Sequence, residues 1–414
     1  MVNYLCVRQR LLFRITLIIF LVKIQTFFFN YYLLNNFSKE KMFAQQKTKM
    51  TEDRKYFENL VDKILSSNPS FITSYHINLE YKDVGDKEIS DLGSAFSKCQ
   101  NLQILSLNLN LFEQQIKSWM KLRSQGLLSF CFALEHLNNL IDFTLKLSSN
   151  NIGYENIERL GSVLASFKQL QKLHLDLSSN NIGNLGAYSL ASSLKNMCSL
   201  TDLKLNLRQN FIGVKGMNQI FANSFQISTL SLIFSNNEVE KYGEPNLGIG
   251  LENCRKLINL NLEFTNNSID DSNASSLSSS LKNIPNLQRL SLNLSSNSIS
   301  GEGCQIIGES LVSCNKTSEL ALYLNSNRIK EQGASSLGKA LGNCPNLLSL
   351  TIHLNFCEIK VQGATNLCNS IIGFHNLKIL ALSFSLGAKD KNELKNIQLK
   401  IKKMKRLVLK KLIF

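Results

Sequence analysis

The sequence predicts an α/β solenoid: a right-handed coil with a parallel β-sheet on its concave face and α-helices on its convex face. Three observations predict it. A block of thirty residues starting at Leu170, LQKLHLDLSSNNIGNLGAYSLASSLKNMCS, sets a pattern that recurs along most of the 414-residue chain. With Leu170 as position 0, Leu173, Leu175 and Leu177 alternate with His174 and Asp176, the period of a strand with one buried face. Leu190 and Leu194 then lie one turn apart on one face of a helix. Neither element can bury its apolar side alone, so the copies must stack.

Composition agrees. Hydrophobic residues make up 44% of the chain and there are only 4 Pro, which argues against disorder. The net charge of +15 admits an anionic partner, but where the charge sits matters more than its sum. The 10 Cys do not read as a disulfide framework. Cys99, Cys254, Cys314 and Cys344 all occupy position 27, where other copies have Phe167, Met197, Ile284 and Phe374. Cys acts there as a small buried hydrophobe, as expected of reduced thiols in a cytoplasmic protein. No CxxC or Cys/His spacing points to a metal, and no cofactor motif is present.

In chain order, residues 1–50 stand outside the repeats. An apolar run, Ile15–Val22, lies between Arg14 and Lys23, and Leu11–Leu34 is long enough to span a bilayer but is interrupted by charge. Three readings stay open for it: a membrane anchor, a cleaved signal, or a gene-model artefact with translation starting at Met42 or Met50. Residues 51–71 read as a capping helix. Thr51 is a good N-cap, Glu52 and Asp53 suit the first turn, and Phe57, Leu60, Val61, Ile64 and Leu65 form a stripe to cover the open end of the stack.

Eleven copies follow over 72–406, and residues 407–414 begin a terminal edge strand. Position 10 is Asn150, Asn180, Asn210, Asn237, Asn267, Asn297 and Asn327, with Cys357 in the next copy. Position 12 is Ile or Val, and Gly186, Gly216, Gly243, Gly303, Gly333 and Gly363 are expected to open the helices. The role of the Asn amide is structural, because it can satisfy backbone groups of the turn in its own copy and the next. The second copy is eight residues over length, the excess lying within 112–125 and holding the only Trp, Trp119, beside Lys117, Lys121 and Arg123. Insertions of this kind emerge as loops on one rim, often a binding rim, which makes Trp119 a candidate partner contact; the alternative is a Trp that folds back on the rim. The Lys-rich stretch 389–414 keeps the repeat register, so it reads as a last helix and edge strand rather than a basic tail, with weak binding to anionic lipid or an acidic protein as the alternative.

These residues resemble the leucine-rich repeat family, and the long helical unit is similar to its ribonuclease-inhibitor-like class. The resemblance implies a horseshoe and leaves function open, since that class includes inhibitors, innate-immune sensors and activators of the Ran GTPase. The chain departs from the common LxxLxLxxNxL core, having LxxLxLxLxxNxI instead. Two added residues should lengthen the strand by one inward Leu and make the sheet about 6–7 Å taller.

Candidate binding residues come from the outward positions of the strands. Most are Ser or Asn, but copies three to five bring Lys146, His174, Asp176, Lys204 and Arg208 onto neighbouring strands. Such a mostly basic group suits an acidic protein surface; the alternative is a solvated face with Asp176 paired to a lysine. Tyr323, His353 and Phe356 are exposed singletons further along, and the aromatic ones are the better anchors. No phosphate loop, GxSxG or HExxH occurs, so no catalytic residues are assigned. The expected function is a non-enzymatic scaffold holding a protein partner on the concave face, with no nucleic acid. The alternatives are a Ran-type activator of a small GTPase, or a membrane-anchored recognition receptor.

Overall fold

A computed structural model describes residues 52–413 apart from 81, 83–84, 112–123, 238, 240–245, 345, 387–390 and 405. The apolar run in 1–50, Trp119 with Lys117, Lys121 and Arg123, and Gly243 lie outside the described residues. The chain divides into two compact units, Met1–Leu60 and Val61–Phe414. The described part of the first, 52–60, is helical, and the second begins with helical residues 61–66. No helix among the described residues is long and apolar enough to cross a membrane.

The second unit is built on one sheet. Its strands are β1 (Ser74–Asn78), β2 (Ile104–Asn108), β3 (Asp142–Lys146), β4 (Lys172–Asp176), β5 (Asp202–Asn206), β6 (Thr229–Ile233), β7 (Asn259–Glu263), β8 (Arg289–Asn293), β9 (Glu319–Tyr323), β10 (Ser349–His353), β11 (Ile379–Ser383) and β12 (Leu409–Ile413). All 12 strands pair in chain order, and every pair is parallel. Register follows the repeat, so Leu145, Leu175 and Leu205 stand side by side. All three are buried, as are Leu232, Leu262, Leu292, Leu322 and Ile352 in the same column. Each such side chain contributes about 1.5–3 kcal/mol on burial.

Helices return the chain between strands, among them Gly153–Ser166, Gly183–Lys195, Val214–Ala222, Asp271–Leu281, Gly301–Val312, Lys330–Leu341 and Lys360–Ile372. Their apolar faces cover the inward side of the sheet; Leu190 and Leu194 are both buried. Strands sit about 4.8 Å apart and packed helices about 8–10 Å apart, so a stack of such units bends with the sheet on the inner curve. The last helix, Lys391–Lys402, and β12 occupy the Lys-rich end as the register requires.

Several expectations are corrected. The strands keep five residues each, and the two added residues leave the pleat. Position 9 lies in the left-handed region in copy after copy, with φ of 64° at Ser149, 56° at Ser179 and 55° at Ser326. The extra inward Leu is there: Leu177 is fully buried, and its N–H donates to Asn206 O at 2.9 Å. Ser179 N–H likewise donates to Arg208 O at 2.8 Å, so inter-copy pairing outlasts the regular strand.

The repeated glycines do not open the helices but sit about one turn inside them. They let neighbouring helices approach: a Cβ on Gly333 would lie 2.7 Å from Gly301 Cα. Among its described residues, the sixth copy has a short 3-10 turn, Leu251–Asn253, where the later part of a helix was expected. Gly248 and Gly250, with φ of 100° and 102°, cannot sit in a right-handed helix.

The asparagine column also differs in direction. Asn180 Oδ1 accepts from Asn150 N at 2.9 Å and Ile152 N at 3.2 Å, both in the preceding copy. Its Nδ2 donates to Leu147 O at 2.8 Å, again in the preceding copy, and to Ser178 O at 3.0 Å in its own. Each Asn therefore ties its copy backward, not forward. Cys357 holds the same place with a thiol, 3.0 Å from Leu324 O.

Candidate functional site

The outward residues of β3, β4 and β5 form the most charged part of the sheet face. Register sets His174 between Thr144 and Lys204, and Asp176 between Lys146 and Asn206. Strand pairing thus brings together four of the residues expected from sequence. Arg208 extends the group, two residues beyond β5 and exposed. Its guanidinium lies against Asn236: with that amide turned to present its oxygen, Nε and Nη2 donate to it at 3.0 and 3.1 Å.

Among the described residues, Asp176 forms no ion pair with a lysine. Its Oδ1 accepts from Ser178 N at 3.1 Å and Ser178 Oγ at 2.7 Å, which closes the turn after the strand. Asn206 does the same for Arg208 N at 3.2 Å and Asn293 for Ser295 N at 3.1 Å. Position 6 thus prefers a short acceptor for a local reason. Where Lys146 takes that position, Asn110 Oδ1 of the preceding copy accepts from Ser148 N instead. Among the described residues, Lys146 and Lys204 stand in no ion pair.

His174 is half-buried between those amines. Burial lowers its pKa below the ordinary value, Lys146 and Lys204 lower it further, and Asp176 and Asp142 oppose them. The imidazole is therefore neutral at neutral pH, and the group's positive charge resides on Lys146, Lys204 and Arg208. One feature was missed from the sequence. At position 2 of the same strands, Asp142, Lys172 and Asp202 stand in register, a self-complementary row beside the basic group. The same period-two count would have found it, since position 2 is outward too.

The other end of the face is different. Arg289 Nε is 2.9 Å from Glu319 Oε1, and its Nη1 donates to Asn259 Oδ1 at 3.0 Å, so these charges close on their neighbours. Tyr323 and His353 meet edge to face, ring centroids 4.9 Å apart. Burial lowers the pKa of His353, with help from Lys411. Phe356 is 74% exposed and sits at position 9 with φ 57°. Copies three to nine hold Ser, Asn or Gln there, all of them polar. Between the two ends, a trough of 300 Å³ runs across β6–β10 over Ser231, Asn261, Ser291 and Ala321.

Little elsewhere suggests chemistry. No group of three or more His, Cys, Asp or Glu among the described residues could hold a metal ion. The nine described cysteines are free thiols, seven of them buried. Burial pushes Cys254, Cys131 and Cys368 up to about 12, far from thiolate reactivity.

A family model described as leucine-rich repeat matches residues 170–191 and 290–308. No protein with a curated description matches. Among solved structures, the crystal structure of a TLR13–ssRNA13 complex is similar with a TM-score of 0.38 and 17% identity. The match covers 75% of this chain and 42% of that one, so the chain spans less than half of that neighbour's length.

Proposed function

We propose that this chain, a leucine-rich repeat protein of a fold that serves in general to recognise a protein or another ligand, is a non-enzymatic scaffold. It holds a protein partner against the concave face, with Lys146, Lys204 and Arg208 meeting acidic residues. One observation carries this reading: Lys146 and Lys204 stand outside any described ion pair, while Asp176 between them is engaged by Ser178. Ammonium groups held on a sheet and joined to no carboxylate in an ion pair steer and orient an acidic surface. Burial of most of the thiols supports a cytoplasmic setting.

Capture from native lysate tests it. Wild type and a Lys204→Glu/Arg208→Glu variant are immobilised in parallel, and retained proteins are identified at two salt concentrations. The expected result is an acidic protein held by wild type, released by added salt, and reduced at least about tenfold on the variant, the scale of a close interfacial charge pair. Identical retention on both would remove the basic group from the function.

A further inference from the structure

We propose that the partner segment is an extended, two-ended peptide lying across the strands: carboxylates at the β3–β5 end and one aromatic or large aliphatic side chain at the β9–β10 end. This inference rests on the scaffold reading and goes beyond it by fixing the partner's shape and spacing. The acidic end follows from charge complementarity with Lys146 and Lys204. The apolar end follows from Tyr323, packed edge to face on His353, and from Phe356, exposed at position 9. Copies three to nine carry a polar residue at that position, and an exposed aromatic there is a candidate anchor.

The path between the ends is open. The trough floor is low because position 4 carries Ser231, Asn261, Ser291 and Ala321 on successive strands. The Arg289–Glu319 pair bounds it toward the strand starts. Glu263 stands two residues beyond Asn261 on β7, midway along, and disfavours acids in the middle of the peptide. Lys204 on β5 and Tyr323 on β9 are four strands apart, about 19 Å at roughly 4.8 Å per strand. An extended chain rises about 3.3 Å per residue, so about six residues span the gap.

The test is selection from a phage-displayed library of random sixteen-residue peptides on the immobilised full chain. Selected sequences are expected to carry paired Asp or Glu about five to seven residues from a Phe, Tyr or Leu, in either chain order. Lys146→Ala/Lys204→Ala should lose the acidic preference at least about tenfold and keep the aromatic one. Tyr323→Ala/Phe356→Ser should do the reverse, with melting curves confirming that both variants fold. Selection of one feature without the other, no preferred spacing, or the same motif on both variants would overturn the proposal. If the library yields no peptide while a folded acidic protein is still captured through Lys204 and Arg208, the scaffold reading stands and this one falls.

Discussion

Asn180 and Asp176 lie four residues apart in one copy, are both polar, and do opposite work. Asn180 is fully buried and bonded to three backbone groups of the preceding copy. Asp176 is half-buried and bonded to Ser178 in its own turn. The first position repeats as Asn in copy after copy because the backbone groups it serves are the same in each. The second is free to become Lys146, Glu263, Tyr323 or His353, since a water or a neighbouring amide can replace one local bond. A periodic residue here marks a bond between copies, whereas a residue that breaks the period on the outward row is free of that duty, and our proposal places partner recognition there.

The sharpest way to break that contrast is to remove one amide from the column. Asn210→Ala would strand the N–H groups of Asn180 and Ile182 and the carbonyl of Leu177, all buried. The loss should be about 2–4 kcal/mol, given roughly 1–3 kcal/mol for each unpaired buried group and partial relaxation. Urea unfolding measures it. A loss no larger than that of Lys204→Ala, which touches only the face, would erase the distinction between the two rows.

Cys357 offers the converse. Burial raises its pKa, and the N–H groups of Asn327 and Ser326 aimed at the sulfur partly offset that. A sulfur is a weak acceptor and a weak donor, so this step of the column is under-bonded. Cys357→Asn should restore the amide pattern and stabilise the protein by about 1 kcal/mol, the usual net value of a hydrogen bond. A fall in the urea midpoint would show instead that the thiol's smaller volume is what the site requires.

Why one row was legible in the sequence and the other was not follows from the same contrast. Leu173, Leu175 and Asn180 recur every thirty residues, so strand, register and column were readable from spacing alone. The direction of the amide bonds was not, since position 10 is equally close in sequence to either neighbour. The break in helical structure at 248–250 in the sixth copy was hidden because Leu251 and Cys254 keep the period there while Gly248 and Gly250 turn the backbone left-handed. On the face, period-two counting placed Lys146, His174, Asp176 and Lys204 together. It could not show that Asp176 would bond Ser178 rather than a lysine, because Ser recurs at position 8 for reasons of turn geometry. Phe356 looked like one exposed aromatic among others until position 9 proved to be a left-handed turn position that the preceding copies fill with polar residues.

The smallest effect compares the two ends of the face through their histidines. Burial and then Lys146 and Lys204 lower the pKa of His174 below its ordinary 6.5, so the unfolded chain takes up a proton before the folded one does. His174 therefore costs no stability above about pH 6.5. It reduces stability as pH falls from there toward the depressed folded value, and the loss is constant below it. Lys204→Ala removes one of the charges holding the folded pKa down, so that pKa should rise and the slope shrink. His353 owes its own lowering to burial and to Lys411, at the far end, and should not move. Imidazole Cε1–H titrations by NMR read both residues in one sample. If His353 shifts with His174, the two ends are coupled through the sheet, and the amine cluster on β3–β5 does not act as a separate local group.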